Sequence, residues 1–248
     1  MLDIIAKIQS GSHLYGLNTP ESDLDYYSVG LNTQMRHILG LDRYEHEISM
    51  TEDKDSTCFE LRRFLSLCRK ATTHAYELLN TSSKKFEILD PEFKRYILDH
   101  KHRFMDTEKL FKCLMGYLNG EIRATFGETT GKLGDKRKAQ IEKYGFSPKN
   151  ACNAARLALS GINFFRKGKY IVNFSSEDSG IHELLKDIKC NPGAFSKGGL
   201  KDILNSLENS LKASFDSRDK SKDLTFDEEY ANYVVWKIYS PRLNPMRL

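Results

Sequence analysis

The pattern of apolar and polar positions changes near residue 60. Before that point, short and partly alternating runs separated by turn residues predict β-strands at 4–10, 23–29, 43–49 and 55–59. From Glu60 onward, apolar residues recur every three or four positions, which is the spacing of an amphipathic helix. The pattern therefore predicts an α+β protein whose sheet is formed by the first part of the chain.

Helical spacing continues to the end of the sequence. It predicts a helix that starts at residue 60 and further helices at 73–79, 91–102, 108–126, 148–166, 180–189, 197–215 and 226–239. Residues 127–138 are predicted to form a loop, and the aromatic residues around Trp236 are predicted to lie in the core. We expect a small mixed β-sheet domain at residues 1–90 and a mostly helical domain at residues 91–248.

Composition narrows the class of protein only moderately. The 248 residues are 40% hydrophobic and 29% charged, which is typical of a globular protein and excludes a disordered chain. A net charge of +4 is below the excess of a dedicated nucleic-acid binder. The five cysteines are widely spaced and include no C-x-x-C pair, so we expect reduced thiols. With no signal peptide and no apolar run of about 18 residues, we expect a soluble, cytoplasmic protein without membrane contact.

Two acidic residues stand out at the start of the second predicted strand. Asp23 and Asp25 are two positions apart, so on a strand their side chains point to the same face. Adjacent carboxylates repel each other unless a positive charge lies between them. Because Mg²⁺ prefers oxygen ligands and takes phosphate oxygens for its remaining positions, this pair predicts a site for two Mg²⁺ ions and a phosphate-bearing substrate.

A short turn ahead of these acids suits the phosphate. Gly11 and Ser12 follow the first predicted strand, and a glycine there allows backbone to approach a phosphate closely. Amides at a helix start bind anions, and the Ser12 hydroxyl adds a further donor. The sequence of strand, Gly-Ser turn and acid-bearing strand therefore predicts that phosphate and metal ligands lie together.

The segment GSHLYGLNTPESDLD at residues 11–25 resembles the signature of the DNA polymerase beta nucleotidyltransferase superfamily. It is most similar to predicted nucleotidyltransferases associated with bacterial RNA repair operons. In that family an arginine is common where this chain has His13. Weaker similarity continues through residues 55–65, 76–79, 149–157 and 167–172, so the resemblance spans most of the chain.

The resemblance implies a third catalytic and metal-binding carboxylate on a neighbouring strand. We assign it to Asp55, with Asp53 and Glu60 as rivals, and Glu60 could instead start the following helix. The implied activity is transfer of a nucleoside monophosphate from an NTP, with two Mg²⁺ or Mn²⁺ ions. The acceptor implied is the hydroxyl of an RNA end or of a protein side chain, and the sequence does not indicate which nucleotide is used.

Three further residues are candidates for phosphate binding. Ser22 belongs to the family-like segment but could simply cap a turn. Lys149 and Arg156 lie seven positions apart on one predicted helix, so they could neutralise a triphosphate together or be solvated surface charges. A non-catalytic module that binds NTP or nucleic acid is the alternative function.

Overall fold

The computed structural model describes residues 2–34, 46–50, 54–128, 134–175 and 179–242. Within these ranges no helix combines the length and the apolar composition that a membrane crossing requires. The predicted α+β fold class is confirmed, because a mixed sheet is formed early in the chain and helices follow it.

A five-stranded mixed sheet forms the first structural layer, with strand order β3-β4-β2-β1-β5. The strands are β1 (Asp3–Gln9), β2 (Leu24–Leu31), β3 (His46–Met50), β4 (Lys54–Glu60) and β5 (Phe86–Leu89). Only the β2–β4 pair is parallel among these strands, while β1–β2, β1–β5 and β3–β4 are antiparallel. The start of the third predicted strand, residues 43–45, lies outside the described residues. Strand β5 was not predicted, because its four residues are too short to show alternation.

Helices account for most of the remaining chain. They are α1 (Gly11–Tyr15), α2 (Leu61–Arg69), α3 (Thr73–Asn80), α4 (Pro91–Phe93), α5 (Thr107–Thr125), α6 (Asp135–Tyr144), α7 (Pro148–Lys167), α8 (Ser179–Cys190), α9 (Lys197–Asp216) and α10 (Glu228–Tyr239). The predicted helix at 91–102 is instead α4, a π-helix at Lys94–Leu98 and a 3₁₀ helix at Lys101–Phe104.

The predicted loop at 127–138 is also shorter than expected. Residues 129–133 lie outside the described part of the chain, but α6 begins at Asp135. An acidic residue in the first turn suits the positive end of the helix dipole. Gly145 ends α6 with a left-handed backbone at φ +80°. Lys138 therefore belongs to a helix rather than to a loop.

The chain divides into two compact units. Unit 1 contains residues 1–110 and 223–248, and unit 2 contains residues 111–222. This division differs from the predicted boundary at residue 90, because later segments pack against the first part of the chain. The ring of Phe93 lies 6.0 Å from that of Phe64, and the Tyr239 hydroxyl donates a hydrogen bond to Glu60.

The outer face of α10 corrects a further expectation. Ala231, Val234 and Ile238 are buried in unit 1, whereas Trp236 is 61% exposed. A residue two positions from both Val234 and Ile238 is rotated by about 200° around an α-helix. Trp236 therefore points away from the core, and the prediction that it is a core residue was wrong.

Unit 2 is organised around α7. A Cβ added to Gly161 would lie 2.6 Å from Leu211 Cδ1 and 2.8 Å from Leu114 Cδ1. The absence of a side chain at this position thus allows α7 to approach α5 and α9 closely. The rings of Phe111 and Phe215 stack at 3.9 Å, which completes the apolar contact between α5 and α9.

Candidate active site

The turn between β1 and α1 lies directly against Asp25. The amide of Ser10 donates a hydrogen bond of 2.7 Å to the Asp25 carbonyl oxygen. Gly11 has φ +61°, and a Cβ at this position would lie 2.6 Å from Asp25 Oδ2. Gly11 is therefore required both by its backbone conformation and by the close approach of a carboxylate. The predicted proximity of the Gly-Ser turn to the acid-bearing strand is present for Asp25.

Asp25 and Asp55 occupy matching positions on neighbouring strands. They are Cα partners in the parallel ladder between β2 and β4. Partners in register on adjacent strands direct their side chains to the same face of the sheet. Asp25 is half-buried and Asp55 is exposed. The fold therefore brings together two of the three predicted carboxylates, which are thirty residues apart in the sequence.

Asp23 lies one residue before β2 begins and is exposed. The turn that leads to it is closed by Ser22, whose hydroxyl accepts a hydrogen bond of 2.8 Å from the Thr19 amide. The Ser22 amide in turn donates to the Thr19 carbonyl oxygen at 3.0 Å. The turn-capping role considered for Ser22 is thus present, and a phosphate contact by its hydroxyl stays a prediction.

Glu60, a rival for the third carboxylate, caps a helix. Its Oε2 accepts hydrogen bonds from the amides of Arg62 and Arg63 at 3.0 and 3.3 Å. Its Oε1 accepts one from the Tyr239 hydroxyl at 2.5 Å. Because side chains alternate along a strand, Glu60 and Asp55 point to opposite faces of β4.

The remaining rival, Asp53, lies outside the described residues. Glu60 caps a helix on the other face of the sheet, so the assigned residue, Asp55, is the described candidate that shares a face with Asp25. Its role as third carboxylate remains a proposal.

Helix α1 is anchored from its far end. Tyr15 donates a hydrogen bond of 3.0 Å to Oε2 of Glu77 on α3, and Glu77 is only 1% exposed. Leu14 and Leu17 are buried in the core on either side of this contact. The position of Ser12, within the same short helix, is therefore fixed by packing. The sequence did not single out Glu77 as a residue that holds this turn in place.

Two polar atoms beside the turn lack a hydrogen bond within the described part of the chain. They are Oγ of Ser10 and Nε2 of His13, both buried. Buried polar atoms without a partner are uncommon and costly, so each one calls for an explanation. Their position on either side of Gly11 and Ser12 fits hydrogen-bond donors to an anionic ligand. Neither residue was predicted as a site residue, although both adjoin the Gly-Ser motif.

Lys149 and Arg156 both lie on α7, in unit 2, and their surroundings differ. Lys149 is exposed, whereas Arg156 is buried at 6% exposure. Of the two alternatives considered for this pair, the solvated surface charge therefore applies to Lys149 and not to Arg156. Burial raises the pKa of the Cys152 thiol to about 11, and the positive charge of Arg156 opposes this rise. Binding of a phosphate by either residue stays a prediction.

Carboxylate oxygens are the kind of donor that a divalent ion such as Mg²⁺ prefers. Among the described residues, no three His, Cys, Asp or Glu side chains form a group that could hold a metal by themselves. Mg²⁺ is usually held by one or two carboxylates together with substrate phosphates and water, rather than by a cage of protein ligands. The register of Asp25 with Asp55 supplies two such oxygen donors on one face. These residues therefore fit Mg²⁺ as an ion that arrives with a nucleotide.

Relatives were found among curated proteins and solved structures. An uncharacterized 38.9 kDa protein of Enterobacteria phage T4 is 27% identical over an alignment of 123 residues, and the alignment covers 46% of this chain. The chain spans only 36% of that relative. The spectinomycin adenyltransferase of Enterococcus faecialis, solved with ATP and spectinomycin, is 13% identical at a TM-score of 0.40, with 85% of this chain and 92% of that chain covered.

A nucleotidyltransferase-like protein from Exiguobacterium sibiricum 255-15 is 8% identical at a TM-score of 0.30, with 98% of this chain and 76% of that chain covered. Both TM-scores lie below 0.5, so the assignment depends on the family comparison. The model of the RNA repair pathway DNA polymerase beta family, RlaP, matches residues 2–180, which is more than half of the chain. The chain belongs to the RNA repair pathway DNA polymerase beta family.

Proposed function

We propose that this protein is a metal-dependent nucleotidyltransferase, which moves a nucleoside monophosphate from an NTP to an acceptor hydroxyl and releases pyrophosphate. The observation that supports this most is the register of Asp25 with Asp55, beside a glycine turn that has no room for a side chain. Family membership supports nucleotidyl transfer in general. The metal dependence and the identity of the acceptor are proposed in addition to what family membership supports.

Asp23, Asp25 and Asp55 are the proposed ligands of two Mg²⁺ ions, which Mn²⁺ could replace. When bound, the ions would neutralise charge on the triphosphate and lower the pKa of the attacking hydroxyl. The carboxylates' own task is to present oxygen donors from two adjacent strands without rearrangement. A rigid sheet serves this task well, because preorganised groups need no further ordering when the reaction occurs.

The chain's other residues would position the triphosphate. The Ser12 hydroxyl, the Ser10 hydroxyl and the His13 imidazole are the proposed donors to phosphate oxygens, and Gly11 allows those oxygens to approach the backbone. Ser22, Lys149 and Arg156 are kept as further proposed phosphate-binding residues. Donors that the fold fixes in place would hold the α-phosphorus in line with the acceptor oxygen. The two reacting groups then need not find this geometry by random collision.

The transfer itself needs one proton acceptor. In the proposed step, the acceptor oxygen attacks the α-phosphorus while a carboxylate oxygen of Asp55 accepts the hydroxyl proton. The bond between the α-phosphorus and the bridging oxygen breaks, and pyrophosphate leaves with the electron pair. Asp55 suits this task because it is the exposed member of the carboxylate pair and so can meet an incoming acceptor.

The acceptor is proposed to be the hydroxyl of an RNA end, with a protein side chain as the competitor. The family's description as part of an RNA repair pathway favours RNA. The proposed location is the cytoplasm, which is supported by the five cysteines because no disulfide joins them.

A module that binds NTP or nucleic acid without catalysis is the second candidate. The two candidates differ in one measurable product, because only an enzyme releases pyrophosphate. The presence of the pair of acids beside the Gly11 turn favours the enzyme, because a module that only binds phosphates needs no carboxylates beside them.

The test uses the purified full chain with Mg²⁺ or Mn²⁺ and each α-³²P-labelled NTP in turn. Total RNA and a cell lysate serve as acceptors, and the products are separated by size. Label in RNA or in a protein band, together with released pyrophosphate, is the expected result. An absence of label and of pyrophosphate with every NTP and both metals would contradict the proposal.

A further inference from the structure

The exposed face of α10 carries an unusual set of aromatic side chains. Trp236 is 61% exposed and Tyr233 is 43% exposed, and they lie three positions apart on the same helix. Tyr230 on α10 and Tyr96 on the π-helix extend the set, and both are half-buried. We call these four rings and the cations beside them the aromatic–cation surface. It lies within unit 1.

The rings of this surface are held in a defined arrangement. The Tyr233 ring lies 6.2 Å from that of Tyr96 and 5.8 Å from that of Tyr230, distances typical of favourable aromatic pairs. The Tyr230 hydroxyl donates a hydrogen bond of 3.1 Å to the Tyr96 carbonyl oxygen. Burial raises the pKa of Tyr230, so that this hydroxyl keeps its proton. The three tyrosine rings are therefore ordered before any partner binds.

A cation accompanies each ring. Arg95 lies 5.3 Å from the centre of the Tyr96 ring, and Arg103 lies 4.4 Å from that of Tyr230. Lys237 lies 5.5 Å from the Tyr233 ring and 5.0 Å from the Trp236 ring. These distances are within the range of a cation–π interaction. The surface thus presents aromatic faces and positive charge alternately.

Nearby carboxylates neutralise only part of this charge. Asp99 accepts hydrogen bonds from Lys94, and Asp227 is paired with Arg103 at 3.1 Å. Within the described ranges, neither Arg95 nor Lys237 forms an ion pair with a carboxylate. Two cations therefore remain available to an anionic partner, namely Lys237 beside the two exposed rings and Arg95 beside Tyr96.

We propose that the aromatic–cation surface binds single-stranded nucleic acid. Bases would stack on Trp236 and Tyr233, and the phosphates between them would contact Lys237 and Arg95. Aromatic platforms interleaved with cations are the combination by which proteins hold single strands, because every base has a stacking face and every linkage a negative charge. A duplex lacks free base faces and is not a suitable partner. A second copy of this chain is the competing occupant of an exposed aromatic face, and sedimentation of the protein without RNA tests for it.

The surface is separate from the carboxylate pair. Near the end of α10, Tyr239 bonds to Glu60, the last residue of β4, whereas Asp55 lies near the start of that strand. Five residues of strand correspond to about 17 Å. Glu60 and Asp55 also point to opposite faces of β4. Strand binding therefore needs neither NTP nor metal, and the proposal can be tested independently of the proposed function.

Trp236 is the only tryptophan in the chain and reports on this surface alone. A mixed-sequence single-stranded RNA of twelve nucleotides, without NTP or divalent metal, should quench Trp236 fluorescence to saturation. The affinity should fall as salt rises, because each phosphate contact releases counterions. A duplex of the same length should bind at least tenfold more weakly. A failure to quench, or equal binding of the duplex, would overturn the proposal.

Matched variants locate the binding surface. With fluorescein-labelled RNA and an anisotropy readout, Tyr233→Ala should weaken binding about fivefold to a hundredfold, which is the usual range for the loss of one stacked base. Tyr117→Ala in unit 2 removes a tyrosine of the same 43% exposure and should leave the affinity unchanged. Lys237→Ala should make the plot of log affinity against log salt concentration less steep, by the amount expected for the loss of about one phosphate contact.

Further outcomes separate this proposal from its competitors. Equal losses in Tyr233→Ala and Tyr117→Ala would show non-specific attraction and overturn it. Self-association that Trp236→Ala abolishes, seen by sedimentation without RNA, would assign the surface to a second copy and overturn it as well. Asp25→Asn should bind RNA normally, so a failure of nucleotidyl transfer and a failure of strand binding are distinguishable.

Discussion

Asp25 on β2 and Asp55 on β4 are directly opposite each other in a parallel ladder, although thirty residues separate them in the chain. Parallel neighbours require a crossover between the strands, and here the connection includes β3 at the edge of the sheet. The pair is therefore a product of topology and depends on the strand register. A shift of one residue in either strand would turn one carboxylate to the opposite face.

Gly11 is expected to tolerate no side chain. In Gly11→Ala, the new Cβ would meet Asp25 Oδ2 at 2.6 Å, and the backbone would have to keep φ at +61°. The left-handed conformation alone costs about 1–2 kcal/mol, and displacement of the carboxylate adds to this. We expect a lower free energy of unfolding in urea and a loss of nucleotidyl transfer.

Gly168 provides the matched control for this prediction. It also has a positive φ, of +71°, but a Cβ there would meet nothing within 4 Å. Gly168→Ala should cost only the conformational term of about 1–2 kcal/mol and leave nucleotidyl transfer unchanged. Equal effects of the two substitutions on stability and activity would contradict a specific role for the Gly11–Asp25 contact.

The hydrogen bond between Tyr239 and Glu60 is expected to stabilise unit 1. Tyr239→Phe leaves a buried carboxylate oxygen without this donor, which should cost about 1–3 kcal/mol in the free energy of unfolding. Tyr233→Phe alters an exposed tyrosine and should cost close to nothing. Urea denaturation of the two variants measures the difference, and indistinguishable midpoints would contradict the prediction.

The same contact predicts a dependence on alkaline pH. Burial is the largest cause that raises the pKa of Tyr239, followed by its hydrogen bond to Glu60 and the charge of that carboxylate. Above pH 10 the unfolded chain therefore loses this proton while the folded chain retains it. The free energy of unfolding should fall as pH rises above 10, and it should fall less steeply in Tyr239→Phe. Parallel pH profiles of the two proteins would exclude this coupling.

The cysteines should differ in reactivity with iodoacetamide. Cys190 is exposed, whereas burial raises the pKa of the Cys152 thiol to about 11. At pH 8 only about one part in a thousand of Cys152 is the reactive thiolate. Peptide mass spectrometry should find Cys190 labelled first and Cys152 labelled only after unfolding in urea. Equal labelling of the two in the folded protein would show that Cys152 is accessible.

Local patterns predicted the first part of unit 1 well. Strands β1, β2 and β4 and helix α2 lie where alternation and helical spacing place them, because short-range sequence carries that information. The nearness of Gly11 to Asp25 follows from an antiparallel pair joined by a short connection. By contrast, the register of Asp25 with Asp55 depends on non-local pairing, and only the family resemblance pointed to Asp55.

What the sequence did not predict depends on tertiary contacts. Strand β5 has four residues and is formed by pairing with β1 rather than by its own pattern. Helix α10 returns to unit 1 because Tyr239 and Arg242 bond to Glu60 and Asp90, contacts between distant parts of the chain. Trp236 was expected in the core because tryptophan is usually well buried. Its exposure follows from the face that Val234 and Ile238 bury.

The central claim is that Asp25 and Asp55 act together in nucleotidyl transfer. The most direct measurement is the rate of pyrophosphate release from NTP by Asp25→Asn and Asp55→Asn, compared with Asp3→Asn, an exposed aspartate on β1 of the same sheet. We predict that both site variants lose at least a hundredfold in rate, because amides cannot replace carboxylates as ligands or proton acceptors, while Asp3→Asn and the thermal midpoints stay unchanged. Wild-type rates in Asp25→Asn or Asp55→Asn would contradict the account.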